Sequence, residues 1–568
     1  MQRNRMRDLL FMIIAIALAG GSLAAAHLTL AHASVDQRAL LSAQLVPQVR
    51  TARLVQAADP QQLLNLSIGL RLRDEAQADS LLAAIYDPQS PRYHHYLTPG
   101  QFTRLFAPDP SQIQQITTYL QSEGLTVTAI APDNLLIDAT GSVARVQQAF
   151  QTRINLYQQG GHTFYANATP PAIPATLSQL IASIGGLDNS AQYQPLYQHR
   201  TILAGASGLS PDDLAHAYDI APLHDGGVQG AQQTIALFEL DGYQRSDINQ
   251  YFAAYNINTP RISNVLIDHF SGAAGMGAIE VELDIETAAS IAPQANILVY
   301  EGPNTTQGLN DTYARIVNDG RAQVVSISWG LCEASSGAAE LQTLDTFFKQ
   351  GALEGMSFVA GSGDAGAFDC QDNRLAVDSP ADDPYVTGTG ATTLQLAAAG
   401  YGSESVWSDA SEIQRGPHGA GSGGGLSSYF RQAGWQQGPG VRNAYSNGMR
   451  EVPDVTAAGA PGYNVYCTVH NAGCPPAGWL TIEGTSAAVP LWASSLLLIN
   501  QYLMAQGAGR IGQANPALYK LFNTAQPYSP FHDVIAGDNL YYSATRGYDL
   551  ASGIGSPDIY NIARDLAA

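Results

Sequence analysis

Ser486 stands in Gly484-Thr485-Ser486-Ala487-Ala488-Val489-Pro490, directly ahead of an apolar stretch at 491–503. Taken alone, a serine at the start of a helix is an N-cap. Here small residues flank the hydroxyl on both sides, which leaves room for a bound chain to approach. Such a hydroxyl becomes a nucleophile only when a base takes its proton. The usual base is histidine. The second part of the chain offers His216, His224, His269, His418, His470 and His532. None lies in a His-Gly-Thr context, and His269 reads as a loop or core residue. A histidine-based triad therefore fails on this sequence.

Carboxylates offer another base. Glu280-Val281-Glu282-Leu283-Asp284-Ile285-Glu286 falls on a helix expected over 279–291. Residues four apart share a face, so Glu280 neighbours Asp284, and Glu282 neighbours Glu286 on roughly the opposite side. Like charges at that spacing are unfavourable unless one is protonated or both serve a site. The helix is otherwise apolar, which suits burial of one acidic pair. The other pair is expected on a solvated face. A further carboxylate, Asp364, lies in Gly361-Ser362-Gly363-Asp364, at the end of an expected strand. Open α/β sheets place their sites at such carboxyl ends.

The elements that must position these residues follow from periodicity. Beyond residue 208, short apolar runs recur at 234–239, 297–300, 324–328, 358–360 and 385–386. Helical patterns at 279–291, 312–318 and 338–353 separate them. Such alternation predicts an α/β fold, a parallel sheet with helices on both faces. Gly421-Ser422-Gly423-Gly424-Gly425 follows no strand and carries no lysine, so it is no phosphate loop. Upstream, 64–73 alternates like a half-buried strand. Residues 75–86, 111–123 and 143–150 read as helices, and 125–139 as a hairpin. That mixture predicts a small α+β domain. Residues 188–208 are polar and irregular and read as a linker.

Composition narrows the class. The chain has 568 residues, 45% of them apolar and 13% charged, which excludes a disordered chain. The net charge is −21; residues 1–200 contribute +1 and the remainder −22. An acidic second part repels phosphate backbones, so nucleic acid is not expected as a partner. Arg3, Arg5 and Arg7 precede an apolar run from Leu9, and Ala31-His32-Ala33 follows. This is the order of a secretory signal peptide, expected at 1–33. No stable membrane span is expected beyond it, since 491–503 is short and reads as a buried helix. Cys332, Cys370, Cys467 and Cys474 suit two disulfides in an exported chain, with three pairings open. Cys467 and Cys474 close a short loop and would pair locally. Cys332 and Cys370 would then tie two loops. A zinc site lacks the usual spacing.

The Ser486 turn is similar to the nucleophile turn of subtilisin-like serine peptidases. Together with Glu280 and Asp284 in Glu-x-x-Leu-Asp-Ile-Glu and Asp364 in Gly-Ser-Gly-Asp-Ala-Gly, it resembles the sedolisin family of serine-carboxyl peptidases, kumamolisin-like members in particular. Ser326-Ile327-Ser328-Trp329-Gly330, Glu404-Ser405-Val406-Trp407-Ser408, Gly423-Gly424-Gly425-Leu426-Ser427 and Val452-Pro453-Asp454-Val455 agree with it. The resemblance runs from about Leu209 to the C-terminus. The region from Leu64 to Asn189 looks like the family's activation pro-domain.

The resemblance implies a subtilisin-like catalytic domain at 209–568, a ferredoxin-like pro-domain at 34–190 and a linker with the processing site at 191–208. It implies Ser486 as nucleophile, Glu280 as general base, Asp284 as its orienting partner and Asp364 at the oxyanion. Glu239 and Trp329 match residues that extend the acidic network. A calcium ion is implied at the side chains of Asp533 and Asp549 and the carbonyls of Val534, Thr545 and Gly547. Thr545 departs from the glycine frequent there. Some family members also have a bridge where Cys332 and Cys370 stand. The expected protein is a secreted, monomeric, acid-active peptidase. It cuts polypeptides as an endopeptidase, with tripeptidyl-peptidase action as the alternative, and is made as a zymogen that its own pro-domain inhibits. The competing readings are a histidine-dependent subtilase and an inactive binding protein on a peptidase fold.

Overall fold

The computed structural model describes residues 37–42, 44–200, 208–258, 260–398 and 400–568. The expected signal segment lies outside the described residues.

The first unit is built on a four-stranded antiparallel sheet. In chain order its strands are Leu63–Leu70, Thr126–Ile130, Leu136–Ser142 and Ile181–Gly185, arranged 2-3-1-4. Helices between the first and second strands and between the third and fourth complete a split βαβ, ferredoxin-like pattern. The helices Glu75–Tyr86 and Val143–Phe150 match the sequence expectation, and Pro110–Ser122 starts one residue early. Each has a local start signal: Asp74 accepts from the Gln77 amide and Ser142 from the Arg145 amide. Ile113, Ile116, Leu120, Val146 and Phe150 pack on Leu64, Leu66 and Ile68, forming a core separate from that of the second unit.

The second unit carries an eight-stranded sheet. Its strands are β1 Thr234–Glu239, β2 Arg261–Leu266, β3 Asn296–Glu301, β4 Val324–Ile327, β5 Ser357–Gly361, β6 Val386–Ala397, β7 Gly400–Val406 and β8 Val455–Ala460. The order is β2-β3-β1-β4-β5-β6-β7, with β8 parallel to β6. Only the β6–β7 pair is antiparallel among these pairings. Alternate residues of β1 face opposite cores. Ile235 and Leu237 meet helices α1 Ala278–Ile291 and α2 Thr485–Ala505 on one face. Ala236 and Phe238 meet the side of Thr306–Asp319 and Glu333–Leu353 on the other. The first unit docks on that second face, where Ser183 and Thr343 hydroxyls lie 2.6 Å apart.

α2 is long and apolar enough to cross a bilayer by composition, yet 83% of its most apolar window is buried within the protein. It is the central helix of the core, threaded between α1 and β4, β5 and β8. This explains why the apolar run is longer than an amphipathic surface helix needs.

Candidate active site

Ser486 is the second residue of α2, so the helix start fixes its backbone. Gly484 precedes it with φ 133°, and a Cβ there would lie 2.6 Å from the Leu196 carbonyl oxygen. Only glycine permits that approach. The Ser486 hydroxyl donates to Glu280 Oε2 at 2.8 Å and lies 3.2 Å from the Ser328 carbonyl oxygen. Among the described residues no histidine holds the hydroxyl. His224 bonds the Ile291 carbonyl, His418 bonds Asn373, and His269 is exposed.

Glu280 sits in the first turn of α1 and Asp284 one turn later, both fully buried. Ser328 Oγ donates to both Asp284 oxygens, at 2.8 and 3.0 Å. At the end of β1, Glu239 accepts from the Trp329 indole at 2.9 Å. Burial, then the Asp284 charge, pushes both Glu280 and Glu239 well above the usual carboxylate range. Burial pushes Asp284 up to about 8. Three carboxyls this close cannot all ionise, so they titrate as a set.

Asp364 follows β5. Its Oδ1 accepts from the Thr485 amide and hydroxyl, each at 2.9 Å. Burial raises its pKa, and Arg415, 3.8 Å from Oδ2, opposes that rise. The Gly421–Gly425 run supports this loop: the Gly423 amide donates to Gly363 O at 2.8 Å, and a Cβ at Gly423 would clash with Ser362.

One expectation fails. Glu282 and Glu286 do not form a solvated face; both are buried. The Gln244 amide donates to Glu282 at 3.0 Å and the Tyr466 amide to Glu286 at 3.1 Å. The helix Arg245–Tyr255 and the strand Tyr463–Tyr466 fold over that side of α1. Periodicity could show two acidic faces but not that a distant loop covers the second.

The linker also differs from its reading as irregular chain. Gln194 and Pro195 pair antiparallel with Gly330 and Trp329, and 198–200 pairs with 481–483. Between them the Leu196 amide donates to Ser328 O at 3.0 Å, and Leu196 O accepts from the Ser486 amide at 2.8 Å. The linker therefore lies against the backbone of Ser486. The sequence signal was absent, because a polar segment gains order here only by adding strands to existing edges.

The remaining predicted residues lie elsewhere. Disulfides join Cys332 to Cys370 and Cys467 to Cys474. The first ties the Trp329–Cys332 strand to the loop after Asp364. In the C-terminal loops, Gly547 N donates to both Asp533 oxygens at 3.2 Å, and Thr545 N to Asp549 at 2.7 Å. Both carboxylates thus face the same 545–547 turn. Their hard oxygens are the donor type that suits calcium. Residues whose roles the sequence did not reveal are Ser328, Thr485, Leu196 and Arg415. Ser328 lies within the Ser326–Gly330 segment and Thr485 beside Ser486, and nothing local in the sequence gives either a role.

Comparison with known proteins agrees with this arrangement. The model of the pro-kumamolisin activation domain matches residues 50–190, and that of the subtilase family matches 257–526. Kumamolisin of Bacillus sp. (strain MN-32) is 32% identical over 78% of this chain and 81% of its own. Sedolisin of Pseudomonas sp. (strain 101) is 29% identical over 97% of this chain and 96% of its own. The solved structure of Pseudomonas sedolisin, complexed with two molecules of pseudo-iodotyrostatin, superposes with a TM-score of 0.55 at 26% identity. It covers 64% of this chain and 98% of that one. With an activation domain, a subtilisin-like sheet and these relatives, the chain belongs to the sedolisin family: it is a serine peptidase of the sedolisin type, made as a zymogen.

Proposed function

We propose that this peptidase is exported and hydrolyses internal peptide bonds of polypeptides in acid, with Ser486 as nucleophile and Glu280 as general base. The observation that carries the reading is the 2.8 Å hydrogen bond from Ser486 to the buried carboxylate of Glu280. Asp284, one turn from Glu280 along α1, is the proposed orienting partner; it is fixed by the Ser328 hydroxyl and, pushed up to about 8, is neutral in acid. Burial opposes ionisation of Glu280 most; neutral Asp284 removes the next opposing contribution, and the Ser486 hydrogen bond and the Arg415 charge favour the ionised base. Glu280 then accepts the Ser486 proton as Oγ attacks, and returns it to the departing amine.

Asp364 and the Ser486 amide serve the oxyanion. A carboxyl facing a developing negative charge helps only while it holds a proton to donate. Its raised pKa supports that role in acid. Glu239 and Trp329 brace the far side of the carboxyl set through their 2.9 Å hydrogen bond. Endopeptidase action is supported by the linker, which continues as paired strand on both sides of Ser486.

The pro-domain inhibits by holding that linker in the cleft. One calcium ion is proposed at Asp533, Asp549 and the carbonyls of Val534, Thr545 and Gly547, where it would tie the 533–534 and 545–549 segments together. Export is supported by the charged, apolar, small-residue order at 1–33. The enzyme is expected to act as a monomer. The test is acid incubation of the purified precursor: wild type sheds its pro-domain and digests an unfolded protein, while Ser486→Ala does neither. A precursor active only at neutral or alkaline pH would refute the acid mechanism.

A further inference from the structure

The linker is bound as a substrate would be. Leu196 O stands 2.8 Å from the Ser486 amide, and the Leu196 amide reaches Ser328 O at 3.0 Å. Asp364 Oδ2 is buried beside them; a Cβ at Gly484 would lie 2.6 Å from Leu196 O and 2.7 Å from that oxygen. The Leu196 carbonyl thus occupies the oxyanion position itself. Its side chain is 3% exposed and fills a slot between the backbones of Gly330 and Gly361. A Cβ on either glycine would come within 2.9 and 2.8 Å of Leu196 Cδ1.

Arg415 crosses this bond from above. Its Nη2 donates to Pro195 O at 3.0 Å and also to Tyr197 O. These carbonyls flank the Leu196 carbonyl on either side. The same guanidinium group lies 3.8 Å from Asp364 Oδ2. We infer that Arg415 is a positioning residue that grips a bound chain on both sides of the scissile bond, and that the bond so held in the precursor, Leu196–Tyr197, is its first processing site. The inference rests on the peptidase reading given above.

The step balances without any further reactant than water. Ser486 Oγ adds to the Leu196 carbonyl carbon as its proton passes to Glu280. The C–N bond to Tyr197 breaks, and the amine leaves with that proton. Water then hydrolyses the Leu196 ester through Glu280, restoring the serine. The products are a carboxyl end at Leu196 and an amino end at Tyr197.

Arg415 acts through two routes that can be separated. Its hydrogen bonds exist before the reaction, so their loss should weaken binding more than turnover. Its charge favours ionised Asp364, against the neighbouring carboxyls of Glu280, Asp369 and Asp378. Without it, Asp364 keeps its proton to higher pH.

The test uses the full precursor, acidified and stopped early, with intact-mass and N-terminal analysis. The first new amino end is expected at Tyr197. In Arg415→Gln, KM for an added extended peptide should rise about tenfold with kcat little changed, and the alkaline limb of activity should move to higher pH. Arg415→Lys keeps the charge but cannot reach both carbonyls, so KM should rise while the limb stays. A first cut elsewhere, in a precursor that still digests an added unfolded protein in acid, overturns the inference and leaves the peptidase reading intact. An unchanged KM and pH limb in both variants overturns the clamp. A precursor that digests nothing in acid overturns both readings.

Discussion

The Ser486 hydroxyl donates to Glu280 at 2.8 Å across 206 residues of chain. Two helices on one face of the sheet create this meeting, since α1 and α2 pack side by side. Glu280→Gln keeps the shape and removes the basic oxygen. Its kcat should fall by about 10²–10⁴-fold with KM little changed. Steady-state kinetics on a peptide substrate checks this, and an active Gln variant would leave Glu280 without its role.

Under the proposed mechanism Asp364 should set the alkaline limit of activity. Its folded pKa lies above the ordinary 3.8, so the donor form is present in acid and disappears as pH rises through the raised value. Asp364→Asn keeps a neutral donor at every pH. Its pH–rate profile should be lower in acid and flatter toward neutral. A profile that falls as steeply as wild type would assign the limb to another group.

Stability should follow the same carboxyls. Asp284 rises from 3.8 to about 8 on folding, so the folded state binds its proton more tightly than the unfolded chain does. That contribution is complete below about pH 4 and is lost as pH climbs toward about 8. Thermal melting of Ser486→Ala, which cannot digest itself, should show the midpoint dropping across that window. Asp284→Asn should flatten the slope.

Two contacts of opposite sign govern pro-domain docking. Lys349, 6% exposed, bonds Glu75 and Asp79 of the pro-domain, each at 3.1 Å. Asp311, by contrast, is pushed up to about 10 by burial and by Asp138 of the pro-domain, so this contact favours docking in acid and opposes it as pH rises. Glu75→Gln with Asp79→Asn should weaken docking at neutral pH by about 1 kcal/mol and reduce its salt dependence. Asp311→Asn should tighten docking at neutral pH. Activation followed against pH and salt separates the two.

Calcium removal supplies a further check. An ion at a hundredfold excess over its Kd stabilises the folded state by about 2.7 kcal/mol. Chelation should lower the melting midpoint, and Asp549→Asn should abolish the difference between chelated and calcium-loaded protein. Melting curves that ignore both would remove the ion from Asp533 and Asp549.

The sequence by itself determined much of the frame. Short apolar runs located β1, β4 and β5, and longer apolar and helical patterns located the helices around Glu280 and Ser486, because the run length and spacing of apolar residues report which elements are buried. Spacing also paired Glu280 with Asp284, since a helix turn is a local fact. The tertiary structure decided what no local pattern encodes. Covering segments buried Glu282 and Glu286 along with Glu280 and Asp284. Strand ends from β4 and β5 brought Ser328 and Asp364 to Ser486. A polar linker became ordered only because sheet edges at 329–330 and 481–483 offered it partners. Arg415 gained a position only because that linker lay beneath it. Such contacts join residues far apart in the chain, and their energy comes from burial and pairing that exist only once the fold has closed.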